Sequence, residues 1–295
     1  MGKINVHDDF STFCRNLRMS DSVVSNVRDR YHRITKRINT DYWSTDSDTS
    51  HSLYVGSYGR GTAIYASDID IVVEIPWSKY LQYEKYEGNG QSAFLQDVKG
   101  SLKKTYSSTN ISADGQVIVV DFYDGMKFEI VPSFKYEDGS YCYPDTNNGG
   151  SWKNMDPRAE IEAIKKEDAS KNGNIRRLAR MIRSWNEKMT VLMPGYLIDA
   201  TVYRFLKDYE HSDKSYTYYD WFSRDYMKYL LDNAERDYWV FPGSGVHVKP
   251  KYSFKSEAKD AYNLIIEALD DYNDDYYYAW HEEWRKVYGN KFPST

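Results

Sequence analysis

One pattern constrains this chain more than any other. Gly56-Ser57 follows the short apolar run Leu53-Tyr54-Val55, and eleven residues after Ser57 comes Asp68-Ile69-Asp70. Ile69, Ile71, Val73 and Ile75 alternate with Asp68, Asp70, Val72 and Glu74, the period of a β-strand, and Pro76 ends the run. Successive strand side chains point to opposite faces, so Asp68 and Asp70 share one. Two carboxylates held that close repel each other and call for a cation between them. Hard oxygen ligands suit Mg²⁺, with Mn²⁺ as an alternative, and leave positions for phosphate oxygens and water. Two such ions can clamp the attacking and leaving oxygens of an in-line phosphoryl displacement. A glycine at position 56 lets backbone approach a phosphate, and the amides with the Ser57 hydroxyl can donate to it. A lone Asp-x-Asp or a lone Gly-Ser carries little information; an apolar strand on each side and a later acid in another strand give the combination its weight.

That later acid is Glu129, in Lys127-Phe128-Glu129-Ile130-Val131. Phe128 and Ile130 face one way and Glu129 the other, and a charge in so apolar a strand needs a reason. Gln116–Phe122 and Met126–Ser133 read as two strands joined at Tyr123-Asp124-Gly125, a hairpin signal. Pairing about that turn is expected to set the competitor, Asp121, opposite Phe128 on the core face, which favours Glu129 as the third ligand.

The remaining pattern is helix, then mixed α/β, then helices. Val24, Val27, Tyr31, Ile34 and Ile38 form one apolar stripe, with Ser20 or Asp21 as cap. Residues 39–52 and 136–157 read as loops, residues 91–106 as a helix, and the chain beyond about residue 158 as helical except at Pro242-Gly243-Ser244-Gly245. An α+β fold is expected, with a small mixed-sheet lobe in residues 1–157, a helical lobe in 158–295, and a site in the cleft between them. At 41% apolar and 28% charged residues the chain is globular. It has no run of roughly 18 apolar residues that would span a membrane, no apolar signal core at its start, and only Cys14 and Cys142, so a cytoplasmic protein without a disulfide scaffold is expected. The formal charge of −5 argues against strong nucleic-acid binding. Tyr is unusually frequent, 29 of 295 residues, and supplies flat stacking faces.

The segments GSYGRGTAIYASDIDIVVEIP and FEIVPSF resemble the nucleotidyltransferase signature of the polymerase β-like superfamily. RRLARMIRSWN, GYLIDATVYRFL, YWVFPGSG and WRKVYGNKFP resemble the helical lobe and tail of the bacterial CD-NTases, cyclic oligonucleotide synthases related to cyclic GMP–AMP synthase. The resemblance runs from about residue 50 to the end. It implies a bilobed nucleotidyltransferase, two Mg²⁺ on Asp68, Asp70 and Glu129, Gly56 and Ser57 at the donor triphosphate, and nucleoside triphosphates as substrates of a cyclic di- or oligonucleotide product, usually a signal in antiphage defence. The third acid is often Asp in relatives, and Ser often stands where this chain has Gly195.

Arg176, Arg180 and Arg183 form a basic stripe beside the apolar stripe Leu178, Met181, Ile182 and Trp185. Arginine forks suit phosphate oxygens, the alternative being a solvated helix face. Arg183 sits where relatives carry a triphosphate-contacting cation. Tyr196 is a candidate for the base pocket or for core packing, and Arg60 a candidate phosphate contact or a solvated turn residue. The rival readings of the whole chain are a linear oligonucleotide synthase or RNA/protein adenylyltransferase of the same superfamily, and a non-enzymatic nucleotide-binding module.

Overall fold

The computed structural model describes residues 4–294. Eleven helices and nine strands follow one another among them. Helices α1 (Val6–Asn16) and α2 (Asp21–Ile38) precede β1 (Ser52–Tyr54), the short α3 (Gly56–Arg60) and β2 (Asp68–Glu74). Next come α4 (Trp77–Glu84), α5 (Gly90–Lys103), β3 (Asn110–Asp114), β4 (Val117–Asp121), β5 (Lys127–Lys135), β6 (Tyr141–Asp145) and β7 (Ser151–Met155). The chain then runs through α6 (Pro157–Ser170), α7 (Asn174–Lys188), α8 (Gly195–Asp208), α9 (Tyr219–Asp232), β8 (Trp239–Val240), β9 (His247–Val248), α10 (Lys255–Asn273) and α11 (Tyr277–Tyr288).

Contacts divide the chain into two compact units. The first holds residues 19–60 and 65–161. Its mixed sheet runs β1-β2-β5-β4-β3, with β6 on the end of β5 and β7 outside β6. Only β2 and β5 run parallel; the other pairs are antiparallel. One face carries Ile69, Ile71, Val73, Ile118, Val120, Phe128 and Ile130, all buried against α2 and α5 residues such as Val27, Ile34, Phe94 and Val98. Ser20 caps α2 by accepting from the Val23 amide, as its spacing suggested. Val24 departs from the expected stripe and is 42% exposed; the buried face uses Val27, Tyr31, Ile34 and Ile38.

The second unit gathers the residues up to Arg18, Gly61–Ile64, and Glu162 onward. The division therefore differs from a single cut after residue 157. The reason is α1: Phe10, Phe13, Cys14 and Leu17 are buried among the later helices, with the Phe10 ring 4.9 Å from Trp284 and 5.3 Å from Phe292. Leu178, Met181, Ile182 and Trp185 are fully buried, as the periodicity of α7 required.

Two expected loops contain ordered structure. Residues 136–157 hold β6 and β7, which dock through Phe134 opposite Cys142 and Lys135 opposite Tyr141. Local signals, Pro144 and the Asn147–Gly150 turn, conceal strands that exist because the end of β5 offers them an edge. The segment expected as loop from Asn39 opens with a π-helical turn, Asn39–Trp43, stabilised where buried Asn39 donates to the Thr35 and Ser50 carbonyls.

Candidate active site

The acids are assembled by strand register. In the parallel pair, Asp68 lies opposite Lys127, and Asp70 opposite Glu129. Cross-strand partners share a face, so Asp68, Asp70 and Glu129 stand together, opposite the face that buries Phe128 and Ile130. Asp70 feels this arrangement. Its carboxyl is pushed up to about 6, first by burial and then by the negative charge of Glu129, against a lowering by Arg60; Asp68 adds a further push.

The hairpin register differs from the sequence expectation by one residue. Asp121 pairs with Lys127, and Val120 with Phe128. Asp121 therefore lies on the acid face and not on the core face. Glu129 still has the direct relationship, because β5 is hydrogen-bonded to β2, whereas β4 lies one strand farther out.

A further acid on the same face of β2 shows what a structural carboxylate looks like here. Glu74 is buried and accepts from Tyr141 at 2.8 Å and from Arg158 at 3.1 Å, and Arg158 also donates to Tyr141. Glu74 is neutralised by its partners; Asp70 faces another carboxylate.

Gly56 closes against this edge. Its φ is +59°, and a Cβ added there would overlap the Asp70 carboxylate. The Val55 amide donates to the Asp70 carbonyl at 2.9 Å, holding the start of α3 against β2. Arg60, at the end of α3, is not a solvated turn residue: it is 4% exposed and pairs with Glu160 at 3.5 Å. Among the described residues no three or more His, Cys, Asp or Glu side chains are already closed around one point. The acids form an open edge on two adjacent strands, made of hard oxygen donors with mutual repulsion, which is a donor set that fits Mg²⁺ or Mn²⁺.

Residues 4–168, more than half the chain, match the family model for the Second Messenger Oligonucleotide or Dinucleotide Synthetase domain. The chain belongs to that family. It is a bacterial CD-NTase and a nucleotidyltransferase, as the resemblance in its motifs implied. A probable cyclic nucleotide synthase of Bacillus cereus is 26% identical over 250 residues, covering 80% of this chain and 74% of the relative. The fold is that of Escherichia coli MS115-1 CdnC, with TM-score 0.70, 16% identity and 98% of each chain covered. It also matches the Vibrio cholerae dinucleotide cyclase DncV, with TM-score 0.66 and 12% identity over 98% of this chain and 87% of that one.

The helical unit of this CD-NTase gives the basic stripe three separate tasks. Arg176 pairs with Asp168 at 3.6 Å, Arg180 donates to the Gly61 carbonyl at 2.6 Å, and Arg183 pairs with Asp199 at 2.7 Å. None of the three is a fully solvated surface residue. Arg183 also donates to the carbonyls of Ala179 and Gly195, binding α7 to the start of α8. Gly195 eases this approach, since a Cβ there would stand 3.3 Å from the guanidinium, which would have to yield by a few tenths of an ångström. Tyr196 stacks on Phe241, ring centroids 3.9 Å apart and planes 2° from parallel. Sequence reasoning missed Asp199 and Thr62. Both are fully buried, and the Thr62 hydroxyl donates to Asp199 at 3.0 Å. No local signal marks this pair, whose members lie 137 residues apart.

Proposed function

We propose that this CD-NTase makes a cyclic di- or oligonucleotide from nucleoside triphosphates, with ATP as one substrate and UTP or GTP as candidates for another. The observation that carries the reading is Asp70 set directly opposite Glu129, with Asp68 on the same face and Gly56 closing against Asp70. Asp68, Asp70 and Glu129 would hold two Mg²⁺. When bound, the ions neutralise the triphosphate and polarise the phosphorus under attack. The chain's own groups do the rest. The backbone at Gly56 and the Ser57 hydroxyl orient the donor triphosphate, and the carboxylates fix the face on which a ribose hydroxyl approaches the α-phosphorus. Attack forms the phosphodiester and releases pyrophosphate. A linear intermediate then turns over and closes. Arg60, Arg183 and Tyr196 are the further proposed contacts. Arg60 acts through its field on Asp70, which that guanidinium lowers. Arg183 is proposed at the triphosphate and Tyr196 at a base.

The product is proposed to act inside the cell as a signal in antiphage defence. Among the described residues, no helix is long and apolar enough to cross a membrane. The test is incubation with labelled nucleoside triphosphates, singly and in pairs, followed by phosphatase and mass spectrometry. Phosphatase-resistant rings of nucleoside monophosphate units are expected. Products reduced to open-ended oligomers would assign a linear synthase, and labelled protein or RNA an adenylyltransferase.

A further inference from the structure

Four arginines line one cavity in the helical unit. The cavity, of about 180 Å³, is lined by Ser11, Cys14 and Arg15 of α1, Arg18 just beyond the end of that helix, Arg177 and Arg180 of α7, and Tyr216. No Asp or Glu lines it. Among the described residues none of the four arginines forms a salt bridge, in a chain whose net charge is −5. Arg15 donates to Thr12, Arg177 to the Asn172 carbonyl and to Asn174, and Arg180 to the Gly61 carbonyl. Each guanidinium has five N–H donors, so those bonds leave capacity directed elsewhere. Tyr216 is held edge-on by His7 and lies 5.1 Å beneath the Arg177 guanidinium.

The like charges work against one another. Arg180 is pulled below its ordinary range first by burial and then by the charge of Arg18, with Arg176 adding to it. Asp168 acts in the opposite direction and is the smallest of these influences. Repulsion of this kind is relieved by an anion that accepts from several forks at once, and phosphate is the group those planar forks match in a bidentate manner. Arg15 and Arg18 sit at and just past the end of α1 and Arg177 and Arg180 sit on α7, so the forks come from two parts of the chain, and a ligand with two linked phosphates can engage both sets at once.

We propose that this cavity of the helical unit is a binding site for a diphosphate group, built from residues other than the carboxylates of the sheet unit. The diphosphate could be free pyrophosphate or the tail of a nucleoside diphosphate. The proposal does not depend on the reaction the carboxylates perform.

Isothermal titration of the full chain in EDTA, at fixed ionic strength, tests it with pyrophosphate in one arm and ADP or GDP in the other. Arg15→Ala with Arg18→Ala is the informative variant, since both side chains are exposed and their loss leaves the helical core intact. Saturable one-to-one binding is expected, weakened by roughly tenfold or more in that variant. Arg28→Ala with Arg33→Ala removes the same charge from exposed positions of α2 and is expected to change nothing. The arm that binds more tightly identifies the source of the diphosphate. Equal weakening by both double variants would reduce the effect to general electrostatics and overturn the site. So would the absence of saturable binding, or unchanged binding in the Arg15/Arg18 variant. Displacement of pyrophosphate by a single-stranded oligonucleotide at lower concentration would assign the cavity to nucleic acid and overturn the small-molecule proposal.

Discussion

Gly56 leaves empty the volume that the Asp70 carboxylate occupies. At φ +59° it also adopts a backbone conformation in which a side chain is strained. Gly56→Ala is therefore expected to displace Asp70 or the start of α3. A stability loss on the order of 2 kcal/mol, with turnover lost beyond what unfolding explains, is the expected outcome. Thermal unfolding beside initial rates checks it; full activity in the variant would mean that the closure against Asp70 is not needed.

Asp68→Asn with Asp70→Asn should abolish turnover, by at least about a thousandfold, while the fold persists. Asp70 is burdened by burial and by Glu129, so neutralising it removes repulsion. Equal or higher melting temperature with no product is expected; retained product formation would sink the metal assignment.

Glu129→Gln should be far more damaging than Asp121→Asn. Both residues lie on the acid face, but only Glu129 sits on the strand bonded to β2, opposite Asp70. Rates at saturating substrate separate the two variants, and the reverse order would make Asp121 the third ligand.

Arg183→Ala should weaken the helical unit as well as any substrate contact. Its partner Asp199 is fully buried, and removing one member of a buried pair costs about 3–5 kcal/mol. Arg183→Ala with Asp199→Asn should recover much of that loss, because no uncompensated charge remains. Denaturant melts of the three variants decide it. Arg176→Ala should cost less, because that pair is longer at 3.6 Å, Arg176 is partly exposed, and buried Asp168 keeps the bond it accepts from the residue-176 amide.

Asp220, buried in the first turn of α9, titrates at about 6 because burial disfavours its charge. The unfolded group titrates near 3.8. Between those values the folded state binds more protons, so stability falls as pH rises from about 4 to about 6 and then levels, a loss on the order of 2–3 kcal/mol from this residue. Asp220→Asn should remove its share of that slope and leave the share of Asp70, whose carboxyl is pushed up to about the same value. An unchanged slope in melts across this range would mean that Asp220 is already ionised in the fold at low pH.

The sequence by itself determined the carboxylate edge. Period-two alternation forces Asp68 and Asp70 onto one face, and Phe128 and Ile130 turn Glu129 away from the core, because a pleated strand permits no other geometry once its apolar face is buried. The helical periodicity of α7 was equally legible in Leu178, Met181, Ile182 and Trp185. Tertiary structure decided what depends on neighbours far along the chain. It shifted the β4–β5 pairing by one residue, brought Asp121 to the acid face, and drew β6 and β7 out of a stretch that reads locally as loop. Pairing energies across strands settle such registers, and they are not written into either strand alone. It also gave three neighbouring arginines three different partners, Asp168, the Gly61 carbonyl and Asp199, and gathered Arg15, Arg18, Arg177 and Arg180 around one cavity. A charge on a helix face is visible in sequence; whether it meets a carboxylate, a carbonyl or another cation depends on which elements pack against that face.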